Sequence, residues 1–239
     1  MNITFAGRVV VVAGGTGGLG KSVSLAFLEE GANVIVTYRR EEEFEALKDS
    51  AGQRASFLEG RQVDVTDEVS TALFINSVGT QYKTIDVLVN AIGGYAGGVK
   101  LWELKTNTFD HMLALNLRSG YALTRAVMPI MLKAGRGSIV NVAAKAAVDH
   151  ASGAAAYAAS KAAAVALMDS LAADTKGTGV RVNSVLPSII DTPANRLAMP
   201  EADFAAWPKP QDIAQVILFL ASDAAKTVHG ASVPVYGNA

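Results

Sequence analysis

The sequence predicts a single α/β domain: a doubly wound parallel sheet with helices on both faces. Three observations carry this. Short apolar runs alternate with longer amphipathic stretches along the whole chain, the signature of repeated strand–helix units. The apolar runs are β-branched and continuous, as strands covered on both faces must be. The chain has 239 residues, half of them hydrophobic, and no linker-like segment, which suits one domain over residues 1–239.

The elements follow in order. Residues 8–13 (RVVVVA) predict the first strand, which ends in glycines. Residues 19–30 predict a helix, with Gly31 just past its end, where a left-handed residue commonly closes a helix. Residues 33–38 (NVIVTY) predict a second strand, 41–49 a charged helix and 62–65 a short third strand. Residues 66–81 predict a helix with Asp67 and Glu68 at its positive end. Residues 86–91 (DVLVNA) predict a fourth strand, followed by the loop GGYAGG at 93–98. Residues 107–133 predict one long helix, bent near Pro129, and 138–143 (SIVNVA) a fifth strand. Residues 155–175 predict an alanine-rich helix and 180–186 (VRVNSVL) a sixth strand. Residues 188–210 hold several prolines and no clear period, so they predict a substrate loop or lid. A helix at 211–222 and a strand at 232–236 complete the chain.

Composition excludes several functions. The formal net charge is −1 with no basic tail or stripe, so nucleic-acid binding has little support. No stretch reaches the ~18 apolar residues of a membrane span, and the N-terminus lacks a basic leader, so a soluble cytoplasmic protein is expected. The absence of cysteine excludes disulfides and thiolate metal sites. His111, His150 and His229 lack metal-ligand spacing, so no metal is expected. Trp102 and Trp207 read as packing residues. Phe109, Met112, Leu115 and Leu123 read as a core or interface stripe.

The first strand runs into A-G-G-T-G-G-L-G at residues 13–20, which opens the first helix. Glycines there let the backbone turn tightly and approach a pyrophosphate, and the helix N-terminus adds free N–H donors and partial positive charge. Gly14, Thr16, Gly18, Leu19 and Gly20 are therefore candidate cofactor-binding residues in a Rossmann-type fold. The end of strand two selects the cofactor. A carboxylate there would take the ribose 2′-OH of NAD, whereas Thr37-Tyr38-Arg39-Arg40 holds no acid. The planar fork of Arg39 suits the 2′-phosphate of NADP, so NADP is favoured and NAD remains possible.

Tyr157 and Lys161 stand four apart in a helical pattern and share one face. A free tyrosine titrates near 10. An ammonium at about 4 Å and effective dielectric 20 would contribute about 4 kcal/mol, lowering the phenol by about three units before desolvation. The pair is expected to give a general acid poised near working pH.

These residues resemble the short-chain dehydrogenases/reductases over nearly the full length of the chain. The family's T-G-x-x-x-G-x-G loop matches residues 13–20, with Ala13 for the leading threonine. Its adenine-flanking Asp-Val matches Asp64 and Val65, and its N-A-G matches Asn90 and Ala91 with one extra residue before Gly93. Its helix asparagine matches Asn116, and its Y-x-x-x-K matches Tyr157 and Lys161. Its P-G-x-x-x-T, which holds the nicotinamide amide, matches residues 187–192 and brings in Ile190 and Thr192, with Ser188 for glycine. The resemblance implies catalysis by Tyr157, Lys161 and Asn116, and a homodimer or homotetramer paired through the two long helices.

The family's carbonyl-polarising serine lies thirteen residues before the tyrosine. Here that position is Ala144. Residues 144–149 (AKAAVD), the GGYAGG loop and 191–207 (DTPANRLAMPEADFAAW) look like the dihydropteridine reductases, a subgroup of the family. That likeness implies a small-molecule substrate of pterin type, with Tyr95, Ala144 and Lys145 as substrate-side candidates. An electron-poor, imine-like ring needs no oxyanion donor, which suits an alanine at 144. Two alternatives stay open at this point: a reductase of another carbonyl or quinone-like substrate, and a cofactor-binding protein with little turnover.

Overall fold

The computed structural model describes residues 3–238. Seven parallel strands form one sheet: β1 (Val9–Ala13), β2 (Asn33–Tyr38), β3 (Leu58–Gln62), β4 (Val87–Asn90), β5 (Gly137–Val142), β6 (Val180–Pro187) and β7 (Ser232–Val235). Their spatial order is β3-β2-β1-β4-β5-β6-β7. The order reverses between β1 and β4, where Val12 lies opposite Val36 on one side and Val89 on the other. A crevice opens at the carboxyl ends of the strands beside such a reversal, and ligands of open α/β sheets bind there.

The described residues also form eight α-helices: α1 (Gly20–Glu29), α2 (Glu41–Ala51), α3 (Glu68–Tyr82), α4 (Thr106–Leu113), α5 (Ser119–Ala134), α6 (Ala155–Asp174), α7 (Pro193–Ala198) and α8 (Pro210–Ala221). The valine run of β1 shows why the strands read as unbroken apolar segments. Val10 and Val12 pack with Phe27, Ile213 and Ile217 of α1 and α8. Val9 and Val11 pack with Ile75, Leu123 and Met131 of α3 and α5. Successive side chains point to opposite faces, and both faces are buried.

The third strand differs from expectation. It runs over Leu58–Gln62 rather than 62–65. It is an edge strand, so only Leu58 is buried, and its polar residues gave no apolar run. Glu59 and Arg61 pair on it, and a Cβ on Gly60 would come within 2.5 Å of the Phe44 ring. The helical stretch beginning at Thr106 also has an unexpected break. Its irregularity is a π turn at Ala114–Arg118, between α4 and α5, rather than at Pro129, which lies inside α5. The segment expected to be irregular at 188–210 contains α7. Trp207 is packed as expected, but Trp102 is 81% exposed and is not a packing residue. Trp102 borders a groove of about 560 Å³ against Ala155, Ala158, Ala159 and Ala162 of α6. His229 is structural: its Nδ1 accepts from the Val182 N–H at 3.1 Å and its Nε2 lies 2.8 Å from the Ala172 carbonyl.

Candidate active site

The glycine loop between β1 and α1 is shaped by close approach. Gly14 has φ +75°, and its N–H donates to Thr37 Oγ1 at 2.8 Å. A Cβ on Gly20 would overlap the Gly14 carbonyl oxygen, and one on Gly15 would overlap the Val36 side chain. Only glycine lets α1 begin directly on the strand end. No side chain caps that helix at Leu19, so no capping group offsets the positive end of its dipole. A pyrophosphate fits this cradle. Gly18 meets Thr192 from above: a Cβ there would lie 2.9 Å from Thr192 Cγ2. Thr192 caps α7 by accepting from the Asn195 N–H at 3.2 Å, and the Ile190 carbonyl accepts from Asn195 Nδ2 at 2.8 Å.

At the end of β2 the two arginines part. Arg40 pairs with Glu43 at the start of α2, and the Glu43 carboxylate also accepts from Thr16 Oγ1 at 3.2 Å. Glu43, in the first turn of α2, reaches the glycine loop through a contact 27 residues away in sequence, which no local pattern signals. Arg39 has its carbonyl held by Gln62 Nε2 at 2.9 Å, and its guanidinium has no ion pair among the described residues. Asp64 accepts from the Thr66 hydroxyl and N–H, which hold its carboxyl below the usual range, with a smaller contribution from Arg39. Val65 is buried beside it. Asn90 ends β4, donates to Asn141 Oδ1 at 2.9 Å and accepts from the Ile92 N–H at 3.2 Å. The Ala91 N–H donates to the Ala13 carbonyl at 3.0 Å, which ties this strand end to the glycine loop.

Across the crevice, Tyr157 and Lys161 share one face of α6. Asn116 reaches the same place from the π turn, whose extra residue per turn shifts that position relative to a regular helix. Its amide donates to the Gly94 carbonyl at 3.1 Å and to Ser160 Oγ at 3.0 Å, and it accepts from the Gly94 N–H at 3.1 Å. Lys161 is buried, and Nζ donates to the Val142 carbonyl at 2.9 Å. A Cβ on Gly93 would lie 2.9 Å from that Nζ and 3.0 Å from Asn116 Oδ1. Tyr95 stands edge-on to Tyr157, with ring centroids 5.0 Å apart and planes 77° apart.

The expected lowering of the Tyr157 phenol by Lys161 does not occur. The phenol is pushed up to about 12, first by burial and then by the neighbouring Tyr95. The Lys161 ammonium is directed at the Val142 carbonyl, and burial lowers it to about 8. Burial raises the phenol, and no attraction from Lys161 acts on it. The pair presents a neutral hydroxyl and a buried cation, a combination that can donate a proton but does not hold a phenolate near neutral pH.

Ala144 is buried and extended where β5 ends, and its turn packs against α6. Lys145 is directed toward the C-terminal segment: Nζ lies 5.1 Å from the Tyr236 ring centroid and 3.7 Å from Asp149. Ser188 Oγ donates to the Tyr236 carbonyl at 2.7 Å, which ties residue 188 to the segment after β7. Residues 188–210 fold on themselves. Asp191 pairs with Arg196, whose guanidinium lies 4.9 Å from the Phe204 ring, which in turn meets Trp207. Among the described residues no helix is long and apolar enough to cross a membrane, and no cluster of three or more His, Asp or Glu could hold a metal.

A model of the short chain dehydrogenase family matches residues 8–202. The 3-oxoacyl-[acyl-carrier-protein] reductase of Thermotoga maritima is 33% identical over 239 residues, 97% of each chain. The D-threitol dehydrogenase of Mycolicibacterium smegmatis is 33% identical over 97% of this chain and 92% of that enzyme. Among solved structures, ElxO with NADP bound superposes with a TM-score of 0.91 at 26% identity, covering 97% of this chain and 98% of ElxO. Carveol dehydrogenase from Mycobacterium avium in complex with NAD gives 0.90 at 25% identity over 98% of both.

Proposed function

This chain belongs to the short-chain dehydrogenase family of NAD(P)-dependent oxidoreductases, and we propose that it is an NADPH-preferring reductase of a quinonoid dihydropteridine-like acceptor, with Tyr157 as proton donor. The observation that carries the reading is a buried, neutral phenol on α6, the helix packed against the turn where Ala144 fills the family's hydroxyl position. An acceptor that forms an oxyanion would lose a hydrogen bond at Ala144, which can be worth ~3 kcal/mol in such sites. A ring nitrogen that takes up a proton loses nothing there.

Gly14, Thr16, Gly18, Leu19 and Gly20 would hold the cofactor's pyrophosphate, and Arg39 its 2′-phosphate. Asp64, Val65, Asn90 and Ala91 would line the adenosine side; Lys161, Ile190 and Thr192 would line the nicotinamide side. When bound, the cofactor supplies the hydride. Tyr157 Oη then gives its proton to the acceptor atom that gains the electron pair, and Lys161 is the cation on the same helix face. Asn116 fixes the loop at Gly94 and so keeps Tyr95 over Tyr157. Residues 188–210 would act as a substrate lid and Lys145 as a rim residue. A homodimer or homotetramer joined through α5 and α6 belongs to the same proposal, supported by the exposed Tyr121 and Leu132 on α5.

A second reading, reduction of a ketone, is favoured by the names of the relatives, one of which is a 3-oxoacyl reductase. The test is loss of nicotinamide absorbance with NADPH and with NADH, using quinonoid dihydropterin in one arm and a 3-oxoacyl thioester in the other. Pterin-dependent oxidation supports the first reading. Turnover of the thioester alone selects the second.

A further inference from the structure

We propose that Tyr95 is a positioning residue for Tyr157, and that the glycine at position 97 is there to admit its ring. This rests on Tyr157 being the proton donor. Tyr95 is 67% exposed, yet its ring is not loosely placed. Its edge-on contact with Tyr157, at 5.0 Å and 77°, is the geometry in which the positive rim of one ring meets the negative face of the other. The loop that carries Tyr95 is fixed on one side by Asn116, bonded in both directions to Gly94, and on the other by the Gly98 N–H, which donates to the Gly153 carbonyl at 2.9 Å. Gly153 lies in the segment leading into α6, the helix that carries Tyr157.

Gly97 gives the independent observation. It does not have a positive φ, so backbone freedom does not explain it. A Cβ there would overlap Tyr95 Oη and lie 2.5 Å from Cζ, with the Gly153 carbonyl oxygen next at 3.2 Å. The nearest group a side chain at position 97 would strike is the phenol of Tyr95 itself. That phenol ends an exposed side chain, so an alanine would displace the ring without disturbing the core.

The pairing explains how a site with Ala144 could keep its proton donor oriented. Oη of Tyr157 can sweep only as far as the ring packing allows, and Tyr95 supplies one wall of that packing. The contact contributes orientation, which multiplies rate without adding a new reacting group.

The experiment uses the full chain with Tyr95→Leu, Tyr95→Phe, Gly97→Ala and the double variant Tyr95→Leu/Gly97→Ala. Tyr157→Phe is the reference for the proton-donor role. Tyr95→Leu and Gly97→Ala are each expected to lower kcat roughly two- to tenfold, the range an aromatic pair supplies. Tyr95→Phe keeps the ring and should restore most of the loss. The double variant should be no worse than Tyr95→Leu alone, because the phenol that the added methyl group would strike is gone. A second readout needs no turnover. In tyrosine-labelled protein, the Tyr157 ring cross-peak, assigned by its absence in Tyr157→Phe, should move in both single variants and move no further in the double variant. Additive losses, or a Tyr157 cross-peak unchanged by Tyr95→Leu, overturn the proposal. Full activity of Tyr157→Phe instead overturns the proton-donor reading on which it rests.

Discussion

Gly18 and Thr192 touch across the crevice: a Cβ built on Gly18 would stand 2.9 Å from Thr192 Cγ2. One residue closes the phosphate loop and the other begins α7, so the contact ties the cofactor cradle to the segment over it. Gly18→Ala should press on that methyl and weaken nicotinamide-cofactor binding by on the order of 1 kcal/mol, as overpacking does. Thr192→Ser removes Cγ2 but keeps the hydroxyl that caps α7, so it should restore binding in the Gly18→Ala background. Titration calorimetry with NADPH checks both variants; no recovery in the double variant would mean that the strain lies elsewhere.

Arg39 and Arg40 are adjacent in sequence and differ in occupation, since Arg40 is held by Glu43. Arg39→Ala is expected to weaken NADPH by ~1.5–3 kcal/mol, the range for a hydrogen bond to a charged group, and to leave NADH nearly unchanged. Arg40→Ala should affect the two cofactors alike. Dissociation constants for both cofactors test this, and equal losses in Arg39→Ala would reject it as the phosphate ligand.

Tyr157→Phe should cost about 10²- to 10⁴-fold in kcat, the usual worth of a positioned general acid. Because the phenol lies near 12, its ionisation should not shape the activity profile below about pH 11. An alkaline limb centred near 8 would instead belong to Lys161. Measured kcat against pH for wild type separates these outcomes.

Lys161 also predicts how stability changes with pH. Its native pKa of about 8 lies below the unfolded value of 10.5. Between those values the unfolded chain binds more protons, so stability contributed by this group rises with pH across that window. Below about 8 the buried ammonium imposes its full cost. Lys161→Met should lose this rise. Denaturant midpoints measured from about pH 7 to 10 check it, and identical slopes for the two proteins would contradict the burial of the charge.

Ala144→Ser restores a hydroxyl at the end of β5. If the acceptor is a ketone, turnover should increase by up to about 10²-fold through the oxyanion contact. If the acceptor is an imine-like ring, turnover should change little. The ratio of the two substrates' kcat/KM before and after the substitution is the measurement.

The elements that frame the crevice were legible because each has a local signal. β1 is a valine run, the loop after it is dense in glycine, and Asn33–Tyr38 is unbroken and β-branched. The Tyr157/Lys161 spacing follows from helical period alone. Edge strand β3 carries no local signal, because a strand buried only at Leu58 has no apolar run to read. Nothing in the sequence marks the π turn at Asn116, because the buried positions Met112, Asn116, Leu123, Val127 and Met131 keep helix-like spacing through it.

Local propensity and periodicities of two and 3.6 residues specify the sheet, its two covered faces, the cofactor loop and the residue types available for proton transfer. All of these can be read along the chain. How those residues act on one another emerges only when the chain is folded. Folding turns the Lys161 ammonium to the Val142 carbonyl, raises Tyr157 through burial, sets Tyr95 against its ring and brings Thr192 onto Gly18. Each of these depends on desolvation or on contact between segments far apart in the chain, and spacing along the sequence encodes neither.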